Sequence, residues 1–173
     1  MIIQILFICL FLLNMLILWA ATFNDSLKWY RLPGSFIFAY LPLFPVVFDQ
    51  PRFELDHFWW KVAGVVAIVA GILLIVWAKR SIGRVLTNIG EMPQELVTSG
   101  PYQYLRHPVY LGLIFVLVGW WWIWAVVYSF YFGMFILALI WVQGYLEEKL
   151  VLEKKFGDKY REYRQQTGMF WIK

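Results

Sequence analysis

Charge is scarce in this chain. Asp, Glu, Lys and Arg supply 15% of its 173 residues, where a soluble domain carries about 25%. That is too little to coat a water-facing surface around the apolar majority. Cysteine is scarcer still, with Cys9 standing alone inside an apolar run. One thiol excludes an internal disulfide framework and a Cys-built metal site, and no metal centre is expected. Histidine occurs only at His57 and His107, and no internal repeat or low-complexity tract is present. The net charge of +4 gathers at the ends of apolar segments, so no nucleic-acid partner is expected.

What the chain has instead is apolar and aromatic. Hydrophobic residues make up 62% and aromatics 21%, with 11 Trp. Lipid is the natural sink for such an excess, with Trp and Tyr ringing the two interfaces. A span needs about 20 apolar residues. Ile2–Phe23 fits, and its long apolar core without a basic start reads as an anchor rather than a signal peptide. Leu27–Phe48 reads as a second span, kinked by Pro33, Gly34, Pro42 and Pro45. His57–Ala78 is a third, closed by Lys79 and Arg80.

Residues Ser81–Leu105 turn polar and are punctuated by Gly and Pro. Pro108–Tyr145 follows, about 38 nearly unbroken apolar residues, or roughly 57 Å of helix. That is too long for one span, so a hairpin is expected, with its turn near Trp122–Val127. The segment Glu147–Arg164 is charged, with Leu152, Phe156, Tyr160 and Tyr163 in one helical stripe. It predicts a helix folding back on the polar loop or the membrane surface.

The expected fold is therefore all-α: a polytopic integral membrane protein, with about five transmembrane helices and a cytoplasmic C-terminal helix. It forms one domain, with three spans over 1–80, a polar loop over 81–107, a hairpin over 108–146 and a C-terminal segment over 147–173. Of the 15 basic residues, all but Arg52 and Lys61 fall on one side of this arrangement. The positive-inside rule then puts the N-terminus outside and the C-terminus in the cytoplasm.

Two constellations carry chemistry, both on the cytoplasmic side. In the first, Arg106-His107-Pro108 precedes Tyr110 and Gly112. Pro108 suits the first turn of a helix, and the residue before a proline is held extended. Arg106 and His107 then sit at a helix N-terminus, which carries partial positive charge and free N–H groups. This suits a carboxylate; alternatively Arg106 is an interfacial anchor and His107 a filler. In the second, Glu147 and Glu148 end the last span, one turn beyond Gln143. Carboxylates there are paired or line a wet cavity. They bind something cationic, or they pair with Arg106, Arg80 or Lys149 and stabilise the fold. Together the two ends suit a zwitterionic amino-acid moiety.

The run Gly100-Pro101-Tyr102, Arg106-His107-Pro108-Val109-Tyr110-Leu111-Gly112, then Glu147-Glu148, Leu150, Phe156-Gly157, Tyr160 and Tyr163, resembles the isoprenylcysteine carboxyl methyltransferase family. The wider group includes phospholipid N-methyltransferases. The resemblance covers about Leu96–Lys173. It implies S-adenosylmethionine at the cytoplasmic face, with S-adenosylhomocysteine as product, and a lipophilic methyl acceptor entering sideways from the bilayer. Carried over, His107 and Tyr110 contact the cofactor, Glu147 or Glu148 binds its amino group, and Gly100, Pro101, Tyr102 and Tyr104 form the pocket. Tyr102, Tyr104 and Tyr110 are also candidates for the sulfonium, through cation–π attraction.

Arg106 and Arg164 are the candidate catalytic residues, Arg164 by orienting a substrate carboxylate. The tail departs from the family, with Phe170 where Pro is common. The chain is short, and five spans suit a prokaryotic inner-membrane member. Phospholipid or thiol methylation, and a non-catalytic scaffold or transporter, are the alternatives. A transporter would carry its polar site near mid-membrane, whereas these polar residues gather at one face. His57 reads as an interfacial filler, Gln4 and Asn14 as interhelical bonders. Lys154, Lys155, Lys159 and Arg161 read as a solvated or headgroup-facing surface.

Overall fold

Apolar runs that meet no water must satisfy their backbone groups internally, and a helix does so within one segment. The computed structural model describes residues 2–23, 25–30, 51–54, 57–83 and 95–173. Its long elements are all helices: α1 (Ile2–Phe23), α2 (Phe58–Gly83), α3 (Pro108–Trp124) and α4 (Val127–Glu147). Among the described residues no strand forms; only two isolated bridges, Arg52 with Val126 and Leu105 with Gly168, pair extended backbone. Phe58–Gly83 and Val127–Phe156 are long and apolar enough to cross a membrane. Of the expected second span, Leu27–Tyr30 lies in a 3-10 helix, Asp25–Tyr30; the remainder lies outside the described residues.

Helices α2 and α3 run antiparallel and touch through glycine. Gly64 faces Gly119, and Gly71 faces Gly112. A methyl group built on Gly112 would stand 2.7 Å from the Gly71 carbonyl oxygen, and one on Gly64 would stand 2.8 Å from that of Gly119. Each helix thus presents two glycines two turns apart, and the backbones close over them as in small-residue membrane packing. Gly112, beside the Arg106-His107-Pro108 motif, thus makes its close approach to α2.

The α3–α4 turn falls at Ala125 and Val126. Ala125 takes a left-handed conformation (φ 49°) and ends α3. Residues 51–53 clip this turn from outside: Phe53 N–H donates to the Ala125 carbonyl at 2.7 Å, and Val127 N–H to that of Pro51 at 2.9 Å. Trp60 stacks on Trp122 at 3.9 Å, so indoles crowd this end. The core lies between α1, α3 and α4, where Phe11, Leu117, Trp121, Ile136 and Ile140 are buried together.

The C-terminal segment is not the single helix that its stripe predicts. A π-helical turn, Glu148–Leu152, continues α4 into α5 (Glu153–Phe156). Gly157 then breaks the path at φ 56°, where glycine pays little steric cost, and α6 (Asp158–Gln166) turns back. Tyr160 and Tyr163 are buried by this fold-back, while Leu152 and Phe156 are only partly covered.

Candidate active site

The polar floor begins at Pro108. As the first residue of α3, it leaves His107 just outside the helix at φ −125°, where its carbonyl still accepts from Leu111 N–H at 3.0 Å. The preceding turn, Gly100–Gln103, is a 3-10 helix opened by Gly100 at φ 63°. That glycine packs on Ser81 at the end of α2, so a side chain there would collide with the serine. Two structural anchors thus fix the Arg106-His107 dipeptide, one on each side.

Glu148 meets that dipeptide from α4. Arg106 Nε donates to Glu148 Oε1 at 2.7 Å, and His107 Nε2 lies 3.0 Å from the same oxygen. The carboxylate is 3% exposed and His107 7%. Arg106 also donates through one terminal nitrogen to the carbonyls of Arg164 (3.0 Å) and Thr167. A guanidinium has five N–H donors in a fixed fork, and here three of them are committed inside the protein. The carboxylate site read at Arg106 and His107 is therefore filled by the chain's own Glu148.

Glu147 points elsewhere. Tyr110 donates its hydroxyl proton to Glu147 Oε2 at 2.7 Å, and Gln143 bonds the same hydroxyl. Among the described residues, Arg106 balances Glu148 charge for charge and no cation does the same for Glu147. Tyr102 lies within electrostatic reach of Glu147; burial first, then the Tyr163 phenol and this carboxylate, push its phenol above the usual range. His107 stacks flat on Tyr110, ring centres 5.3 Å apart, and Phe170 leans on His107 with its ring centre 6.0 Å away.

The C-terminal tail completes the floor. Arg106 N–H donates to the Gly168 carbonyl at 2.9 Å, and His107 N–H to that of Met169 at 3.2 Å. Met169 and Phe170 then pack on Gly144 of α4, where a Cβ would stand 2.6 Å from Met169 Cε. Tyr163 donates its hydroxyl to the carbonyls of Tyr102 and Leu105. Burial is the main reason its phenol is pushed up to about 12. Tyr160 differs: it is 1% exposed, and its hydroxyl has no partner among the described residues. A buried unmet hydroxyl costs about 1–3 kcal/mol. Its phenol is raised by burial and then by Glu148.

The expected site residues therefore divide. Tyr102, Arg106, His107, Tyr110, Glu147 and Glu148 converge, with Gly100 and Pro101 supporting the turn beneath them. Tyr104 is 47% exposed, away from that convergence. Arg164 gives its carbonyl to Arg106, but its guanidinium lies 3.5 Å from Glu153 in a surface network with Lys149. Sequence reading assigned no role to Thr167, Met169 or the hydroxyl of Tyr160. Two tyrosines within an otherwise apolar stripe were the available sign for the last.

Such a site can bind a cation at Glu147, surround it with tyrosine rings and exclude water by the Phe170 side. The family described as Phospholipid methyltransferase matches residues 59–159. That stretch holds α2 from Trp59 onward, the Arg106-His107-Pro108 and Glu147-Glu148 motifs and the hairpin, but not Tyr160 or Tyr163, and it is more than half of the chain. The match lies within the wider group that the motifs resemble, on its phospholipid side, and nothing found points to isoprenylcysteine. No curated protein matches the chain. With Arg106-His107-Pro108 and Glu147-Glu148 brought together inside the matched region, the chain belongs to the phospholipid methyltransferase family.

Proposed function

We propose that this protein transfers a methyl group from S-adenosylmethionine to the amine of a phospholipid headgroup at a membrane surface. The observation that carries this reading is Glu147: a carboxylate whose partners among the described residues are all neutral, beside tyrosine rings, at the polar end of apolar helices. A cationic ligand balances that charge, and membership of the phospholipid methyltransferase family supports a methyl donor, or the headgroup it methylates, as that ligand. When bound, S-adenosylmethionine supplies an electrophilic methyl on a sulfonium.

The residues fit such a ligand. Glu147 holds its ammonium, while Tyr102 and Tyr110 offer π faces to positive charge. The Arg106–Glu148–His107 cluster fixes the floor on which these groups stand, so little reorganisation accompanies binding. Displacement at a sulfonium needs alignment and a dry site, and the packed tail of Met169 and Phe170 supplies part of the wall. Five spans, with the N-terminus outside and the polar end cytoplasmic, complete the proposal; the acceptor then enters sideways from the bilayer. An amine is favoured over a carboxylate acceptor because Arg164, the residue suited to orient a carboxylate, faces Glu153.

The test is direct. Purified protein is mixed with methyl-labelled S-adenosylmethionine and phosphatidylethanolamine vesicles, and the lipids are separated by thin-layer chromatography. Label in a methylated phosphatidylethanolamine, lost in Glu147→Gln, is expected. Folded protein that labels no amine lipid contradicts the proposal.

A further inference from the structure

We propose that Tyr160 is a ligand-binding residue, whose phenol oxygen accepts a hydrogen bond from the same ammonium group that Glu147 balances. This rests on the cofactor and acceptor reading above, and it gives a role to a residue that the resemblance includes but leaves without one.

Three observations converge on it. First, Tyr160 is the deepest side chain of α6, 1% exposed, yet its hydroxyl has no partner among the described residues. Buried polar groups in native proteins are almost always paired, so an orphan beside a candidate site marks a group kept for another molecule. Second, the groups that act on it electrostatically are Glu148, Arg106, Tyr163 and Glu147, the members of the polar floor. Third, among the described residues the charges of that floor do not cancel. Arg106 offsets Glu148 at 2.7 Å, and Glu147 remains. A cation is what the surroundings favour; an anion at Tyr160 would meet two carboxylates.

A neutral phenol suits this task. Burial and the neighbouring carboxylates raise the Tyr160 phenol, so it stays protonated throughout the physiological range. Its oxygen lone pairs can then take an N–H from an ammonium. The hydroxyl is enclosed, so the ammonium that meets it is carried below the protein surface. The π-helical turn Glu148–Leu152 lies beside this place; such turns recur at functional sites.

Two ligands carry this group: the amino-acid end of the cofactor and the headgroup of the acceptor. Calorimetry separates them. In one arm S-adenosylhomocysteine, and its analogue lacking the amino group, are titrated into wild type and Tyr160→Phe. In the other, KM is measured for phosphatidylethanolamine in vesicles. If the cofactor supplies the ammonium, Tyr160→Phe weakens S-adenosylhomocysteine about tenfold, as a hydrogen bond to a charged group should, and leaves the analogue unchanged. If the headgroup supplies it, KM rises while S-adenosylhomocysteine binding is unchanged.

Equal losses for both titrants, or no change in either arm, overturn the assignment. Thermal unfolding of ligand-free protein adds a control. Removing an unpaired hydroxyl leaves the midpoint equal or higher, and a lower midpoint also overturns it. If wild type itself binds no S-adenosylhomocysteine and methylates no amine lipid, the proposed function falls, and Tyr160 with it. Intact wild-type binding with an unaffected Tyr160→Phe removes Tyr160 alone.

Discussion

Arg106 Nε and Glu148 Oε1 lie 2.7 Å apart across 42 residues of sequence, and both side chains are nearly closed to solvent. Removing one partner of a buried ion pair leaves a stranded charge, at a cost of about 3–5 kcal/mol. Glu148→Ala is therefore expected to lower the thermal midpoint strongly. Glu147→Gln keeps the Tyr110 hydrogen-bond partner and should unfold near the wild-type temperature, while losing ligand binding. Equal melting of the two variants would remove the distinction between a structural and a ligand-binding glutamate.

Arg106 also caps two carbonyls of the C-terminal segment. Lysine keeps the charge but not the planar fork. Arg106→Lys should loosen the tail, seen as faster proteolysis beyond Gln166. Wild-type resistance to proteolysis would show that the carbonyl contacts do not hold the tail.

The glycine seam sets the distance between α2 and α3. A methyl at Gly71 would stand 2.5 Å from the Gly112 carbonyl oxygen, and that backbone cannot give way as a flexible side chain can. Overpacking of this kind costs about 1–3 kcal/mol. Gly71→Ala should lose that much in a denaturant titration. Gly83→Ala, where nothing among the described residues stands within 4 Å, is the control and should not.

Tyr163 makes stability sensitive to alkali. Its phenol, held at about 12 rather than the usual 10.0, binds its proton more tightly in the folded protein. That contribution is fully present below pH about 10 and is lost as pH rises through about 12. The protein should therefore unfold more readily across that window. Tyr163→Phe should flatten that part of the profile. An unchanged pH slope in Tyr163→Phe would assign the alkaline loss to other groups.

Much of this was readable before any coordinates. Apolar runs mark α1, α2 and the α3–α4 pair because a long apolar segment satisfies its backbone groups within itself as a helix. The Trp-rich turn at Ala125 falls where the length of Pro108–Tyr145 demands one. Both motifs are visible as residues, and the pairing of Arg106 with a glutamate was one of two open readings. Which glutamate was not readable, because adjacent residues on a helix face different ways and the π turn begins between them.

Other features left little trace. The tail at Gly168 and Met169 has no periodicity, so its pairing with Arg106 and His107 depends on contacts the sequence does not announce. The stripe of Leu152, Phe156, Tyr160 and Tyr163 suggested one helix; Gly157 interrupts it by a backbone conformation rather than by pattern. Gly112 stands in the motif as a residue, but nothing in the sequence announces that it faces Gly71. The greater part of the expected second span lies outside the described residues.

Isothermal calorimetry of S-adenosylhomocysteine with detergent-purified protein tests the central claim most directly. Saturable one-to-one binding to wild type is expected, weakened at least tenfold in Glu147→Gln. Folded wild-type protein that binds none, or a Glu147→Gln variant that binds as wild type does, would contradict it.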